Sequence, residues 1–148
     1  MSNWGTKTMK ALLLAALTLT LPAFGQQKIK KIKVAPLVSY ESAGQPYANM
    51  ITAKLMSYLV KDGVTVIEND SDSDADAVLA VTYQLVTLPD SYGNVAHVRF
   101  TGAVRLTDKD GEILWADEVR NRPFVQSASS GFAENVAKKV SAFLASQK

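Results

Sequence analysis

Polar and apolar positions change period several times along this chain, and each change marks an element. Lys28-Ile29-Lys30-Lys31-Ile32-Lys33-Val34-Ala35-Pro36-Leu37 alternates lysine with β-branched residues and then turns apolar, the pattern of a strand running into a core. A loop follows over Ser39 to Gly44, and Pro46 suits a first helical turn. Tyr47, Ile51, Leu55, Tyr58 and Leu59 then recur on one face, while Asn49, Thr52, Lys54 and Lys61 fall elsewhere. That spacing predicts an amphipathic helix, ended by Gly63 where a left-handed residue is favoured. Val64-Thr65-Val66-Ile67 predicts a short strand, so strand, helix and strand have the order of a right-handed parallel crossover.

Beyond an acidic loop, Glu68 to Asp76, the period settles at two. Ala77 to Leu88 predicts a long strand, ended by the turn formers Pro89-Asp90-Ser91-Tyr92-Gly93-Asn94. The next strand sets Ala96, Val98, Phe100, Gly102, Val104 and Leu106 against His97, Arg99, Thr101, Ala103, Arg105 and Thr107, one face for the core and one for water. Asp108-Lys109-Asp110-Gly111 predicts a hairpin with Gly111 at positive φ. Glu112 to Arg120 follows as a strand with Ile113, Trp115 and Val119 on one face. Ser129 or Ser130 then caps a closing helix striped by Phe132, Val136, Val140 and Phe143/Leu144. The order β-α-β-β-β-β-α predicts an α/β two-layer sandwich, a mixed and mostly antiparallel sheet of about five strands with both helices on one face. Nothing repeats and no long linker divides it, so residues 26–148 read as a single domain.

The N-terminus is of another kind. Lys7 and Lys10 precede the apolar run Ala11 to Leu21, Pro22 ends any helix, and Ala23-Phe24-Gly25 places small residues at the −3 and −1 positions before Gln26. Residues 1–25 are therefore expected to be a cleavable signal peptide, cut between Gly25 and Gln26. An uncleaved anchor is the alternative, but the run is too short to span a bilayer, and no integral membrane segment is expected after cleavage. The chain has no Cys, which excludes disulfides, thiolate metal sites, a Cys nucleophile and the lipidated Cys of a lipoprotein. It carries 16 Lys+Arg against 14 Asp+Glu, and loss of Lys7 and Lys10 brings the two into balance. A generic nucleic-acid partner thereby loses its main support, and a periplasmic or secreted location is expected.

Candidate chemistry is sparse. His97 is the single His, so Ser-His-Asp and His-metal arrangements lack their partners. Asp70-Ser71-Asp72-Ser73-Asp74-Ala75-Asp76 spaces its oxygens like a calcium loop, but Ala75 and Val81 stand where Gly and a bidentate Glu are needed. Asp108 and Asp110 are turn residues, and Asp117 and Glu118 point to opposite faces of a strand. Ser127-Ala128-Ser129-Ser130-Gly131 lacks a base and reads as helix capping. The loop Ser42-Ala43-Gly44-Gln45-Pro46 is a poor anion cradle, because Pro46 removes a donor. No cofactor, metal site or enzymatic activity is expected. What remains is surface: the basic segment Lys28, Lys30, Lys31 and Lys33, read as a flexible tail or as the solubilising charges of an edge strand, and Arg99 and Arg105 in register with Thr101 and Thr107 on a wet strand face. These six cations form the candidate interaction surface.

The run Ser73-Asp74-Ala75-Asp76-Ala77-Val78-Leu79, the meander, the hairpin Thr107-Asp108-Lys109-Asp110-Gly111-Glu112-Ile113-Leu114-Trp115-Ala116-Asp117-Glu118 and a closing amphipathic helix together resemble LptE-type lipoproteins of lipopolysaccharide export. The same order is similar to the α/β domains of CsgG and of the TolB N-terminus. The resemblance implies a non-enzymatic accessory domain that docks on a larger envelope protein or an envelope glycolipid. The lipid-bearing Cys of the lipoprotein members is absent from this chain. Two other functions stay open. A small-ligand or anion-binding protein would need Tyr47, Tyr58, Tyr83, Phe100 and Trp115 to line a void, and a Ser or carboxylate hydrolase would need side chains to converge.

Overall fold

The computed structural model describes residues 28–67, 74–120 and 128–147, less the side chains of 95–97. A six-stranded mixed sheet carries two helices. In chain order the elements are β1 (Lys31–Val34), β2 (Val38–Ser39), a 3₁₀ segment (Ser42–Tyr47), α1 (Ala48–Lys61), β3 (Thr65–Ile67), β4 (Ala77–Pro89), β5 (Val95–Asp108), β6 (Ile113–Arg120) and α2 (Ala128–Ser146). The expected sandwich is therefore present, with one strand more than the sequence pattern shows. That strand is β2, two residues within the stretch read as running from strand into loop, and it pairs in parallel with Thr82 and Tyr83 of β4.

Strand order across the sheet is β3-β1-β4-β5-β6. β1 runs parallel to both neighbours, as a crossover through α1 requires, and β4, β5 and β6 form antiparallel hairpins. The lysine-rich segment is thus an inner strand, which corrects the reading of it as a flexible tail or a sheet edge. Ile32 is fully buried between Lys31 and Lys33, and Asp76 fixes the strand's start. The Asp76 carboxylate accepts the backbone N–H groups of Lys30 and Lys31 at 2.8 and 2.9 Å, and its own N–H donates to Lys31 O at 2.9 Å. Those donors hold the Asp76 pKa below the usual carboxylate value, the Lys30 N–H contributing most. One end of the acidic loop is therefore a structural clamp, and its residues 68–73 lie outside the described residues.

The core follows from the period. Leu79, Val81 and Tyr83 of β4 and Phe100, Val104 and Leu106 of β5 are at most 1 % exposed, facing Ile51, Leu55 and Leu59 of α1 and Phe132, Val136 and Val140 of α2. Each such side chain contributes about 1.5–3 kcal/mol through removal of apolar surface from water. Phe132 comes so close to the sheet that a Cβ on Gly102 would lie 3.0 Å from its ring and 2.3 Å from Thr82 O, which is why β5 carries glycine there. α1 ends as expected: Gly63 has φ of 84°, its N–H reaches Val60 O and the Val64 N–H reaches Leu59 O. The two hairpins share one device. Asp90 accepts the N–H groups of Tyr92 and Asn94, Asp108 accepts those of Asp110 and Glu112, and Gly93 and Gly111 take positive φ.

Two local expectations change. Ile113 pairs with Thr107 while Trp115 pairs with Leu106, so an extra residue in β6 rotates Ile113 outward to 56 % exposure. Trp115 stays on the helix side, stacked on Phe143. Ser129 and Ser130 lie inside α2 as described, and both hydroxyls receive Lys54 Nζ from α1, so they join the helices.

Candidate functional site: the uncovered sheet face

Both helices lie on one side, so every second residue of β4, β5 and β6 is left on a face that no described element covers. Cross-strand pairing arranges these residues in rows: Gln84–Thr101–Arg120, then Thr82–Ala103–Glu118, then Ala80–Arg105–Ala116. Arg99 begins the series opposite Val86. Ala80, Ala103 and Ala116 keep the floor low, and the chain leaving β2 brings Tyr40 over it. Tyr40 is 67 % exposed, its N–H bonds to Tyr83 O, and its hydroxyl lies 3.1 Å from Thr82 Oγ1. Two depressions result, of about 380 and 570 Å³, which share Tyr40, Ala103 and Glu118 and so form one shallow trough. Arg99 lines the first and Arg105 the second. They stand six positions apart along the strand, a span of about 20 Å.

The charges here are lightly tied. Arg120 lies 3.9 Å from Glu118 with both side chains mostly exposed, a pair worth at most about 1 kcal/mol. The Arg99 Nε is buried and finds no acceptor among the described residues. Asp117, one residue from Glu118, turns to the helix side, where Lys139 Nζ bonds to its carboxylate and to Glu118 O. The Lys139 bond, ahead of the Glu118 N–H, lowers the Asp117 pKa. As expected from parity, the two neighbouring carboxylates point to opposite sides of the strand.

Of the sequence-predicted cations, the structure unites Arg99 and Arg105 and separates the rest. Lys28 and Lys30 border a different hollow, of about 280 Å³, with Asp62, Ser141 and Gln147. Lys31 and Lys33 have the parity of the uncovered face but sit on β1, with Lys33 in register with Val78. Gly25, Gln26 and the whole expected signal lie outside the described residues, and His97 is placed only by its backbone, opposite Leu88. Tyr40, Glu118 and Arg120 were missed. Strand parity carried a signal for the last two, since they alternate with Val119. Tyr40 had none, because β2 is too short to show a period.

The interior is packed. Phe100 lies 5.4 Å from Tyr47, 5.7 Å from Tyr83 and 6.0 Å from Phe132 between ring centres, and the Tyr83 hydroxyl donates to Gly44 O at 2.7 Å. Burial pushes the Tyr83 pKa up. These aromatic rings fill the space between sheet and helices, as cores do. No metal-holding cluster of His, Asp and Glu occurs among the described residues, and no described helix is long and apolar enough to cross a membrane.

No family model matches this sequence, and no curated protein matches it. Solved structures do. PelC from Paraburkholderia phytofirmans, a dodecamer, superposes with a TM-score of 0.59 at 16 % identity over 80 % of this chain and 90 % of PelC. The chain shares the fold of PelC. A second crystal form of the PelC dodecamer gives 0.55 at 19 % identity, over 78 % of this chain and 89 % of PelC. A minor lipoprotein from Acinetobacter baumannii reaches 0.48 at 17 % identity over 80 % and 95 % of the two chains, too distant to add to the PelC likeness. The fold likeness thus runs to PelC, and the narrower resemblance to LptE, CsgG and TolB gains nothing from these three structures.

Proposed function

We propose that this chain is an exported, non-catalytic accessory domain of the bacterial envelope, docking through its uncovered sheet face on a larger envelope component. One observation carries the reading: Arg99, Arg105, Glu118, Arg120 and Tyr40 gather on the one sheet face that the helices leave bare, whereas the interior is filled by side chains. The resemblance of the element order and of the Thr107–Glu118 hairpin to envelope accessory domains supports the setting, and the expected signal peptide supports export.

The test places a photo-cross-linking residue at Ala103 on the bare face or at Lys138 on the outer side of α2, in the full chain expressed in a Gram-negative host. Capture of a stoichiometric envelope component from position 103 alone is expected, with Gln26 as the first residue of the recovered protein. Capture from position 138 alone, or an intact N-terminus on cytosolic protein, overturns the reading.

A second reading, self-association, is favoured by β6. It is a sheet edge whose outward N–H and C=O groups pair with no described strand, and PelC is a dodecamer. Light scattering on the purified chain decides between a monomer and a larger assembly.

A further inference from the structure

We propose that the occupant of the trough is an extended acidic glycan, a linear chain of sugars bearing carboxylates; this rests on the docking reading and names the partner. Shape is the first argument. The two depressions meet end to end at Tyr40 and Ala103, so the trough suits a linear polymer. Its floor is the second. Ala80, Ala103 and Ala116 present a low surface, and Tyr40 stands over it with most of its ring in solvent, free to stack on the C–H face of a sugar. Thr82, Thr101 and Gln84 supply donors and acceptors for hydroxyls.

Charge is the third argument. Arg99 and Arg105 mark the two ends of the trough, and no described residue forms an ion pair with either. A guanidinium is a planar fork that grips a carboxylate through two parallel hydrogen bonds. Glu118 at the centre repels anions and accepts hydroxyl donors, so the carboxylates belong at the ends and neutral hydroxyls in the middle. A glycolipid fits less well, because acyl chains need an apolar slot and the floor is alanine and threonine. The core of a protein interface is ordinarily depleted of charge, whereas the centre of this face has Glu118 beside Tyr40.

The experiment titrates the chain purified after export with polygalacturonate and with neutral dextran of equal length, by calorimetry over a series of salt concentrations. Polygalacturonate is expected to bind at least about tenfold more tightly than dextran, and Arg99→Ala and Arg105→Ala each to weaken it by about tenfold. The two variants should also flatten the dependence of affinity on salt. Tyr40→Ala should weaken binding with the salt dependence unchanged. Lys28→Ala on the separate hollow should bind as the unaltered chain does, and circular dichroism confirms that each variant is folded. Equal affinity for dextran, an equal loss from Lys28→Ala, or full binding by the Arg99→Ala/Arg105→Ala double variant overturns the proposal. Failure to bind polygalacturonate while position 103 still captures an envelope component would sink the glycan and leave the docking face standing.

Discussion

Two faces of one sheet are built from the same strands, residue by residue, and they have opposite character. On β5, Phe100, Val104 and Leu106 face the helices and are at most 1 % exposed, whereas Arg99, Thr101, Ala103 and Arg105 alternate with them and face outward. The covered face holds the fold together, because each residue there removes apolar surface from water and meets partners from both helices. The bare face holds almost nothing together, and its freedom from packing lets small residues, hydroxyls and lightly paired arginines sit side by side. A single strand therefore carries stability and recognition at alternate positions, and substitutions one residue apart should have unrelated consequences.

The largest expected effect tests the covered face. Phe132→Ala removes the ring that touches Tyr83, Phe100 and the Gly102 backbone, and should cost about 3–5 kcal/mol, read by urea unfolding. A loss below about 1 kcal/mol would mean that the core is not the helix-to-sheet interface described above. An intermediate effect belongs to the seam between β1 and β4. Asp76→Asn turns a charged acceptor of two backbone N–H groups into a neutral one and should cost about 1–2 kcal/mol at pH 7. The folded pKa of Asp76 lies below its unfolded value of 3.8, so its contribution is complete above that value and is lost as pH falls through the folded value. The stability gap between the unaltered chain and this variant should therefore close in acid, and a gap that stays constant below pH 3.8 would contradict the assignment. The smallest effect on stability tests the bare face: Arg105→Ala should change the unfolding free energy by no more than about 0.5 kcal/mol. A larger loss would show that this face is structural after all.

Much of this was legible before any fold was known. Strand parity separated Phe100, Val104 and Leu106 from Arg99 and Arg105, because the pleat has a period of two whatever the strand pairs with. The helical stripe Ile51, Leu55 and Leu59 and the positive-φ glycines Gly63 and Gly111 were equally plain, being set by steric rules that act within a few residues. The lysines misled. Their alternation with isoleucine is that of an edge strand with one wet face, yet β1 is an inner strand whose wet face is the uncovered side of the sheet.

The sequence by itself determined the order of the longer elements, most residues of the core and the absence of thiol chemistry. Tertiary structure alone decided that β1 lies between β3 and β4, that Tyr40 stands over Thr82, that Lys54 bridges to Ser129 and Ser130, and that Arg99, Glu118 and Arg105 share one trough. Periodicity records which way a side chain points, a local matter of backbone geometry. Which side chains then become neighbours depends on hydrogen-bonded register and helix packing between segments far apart in the chain, and no local pattern encodes that choice.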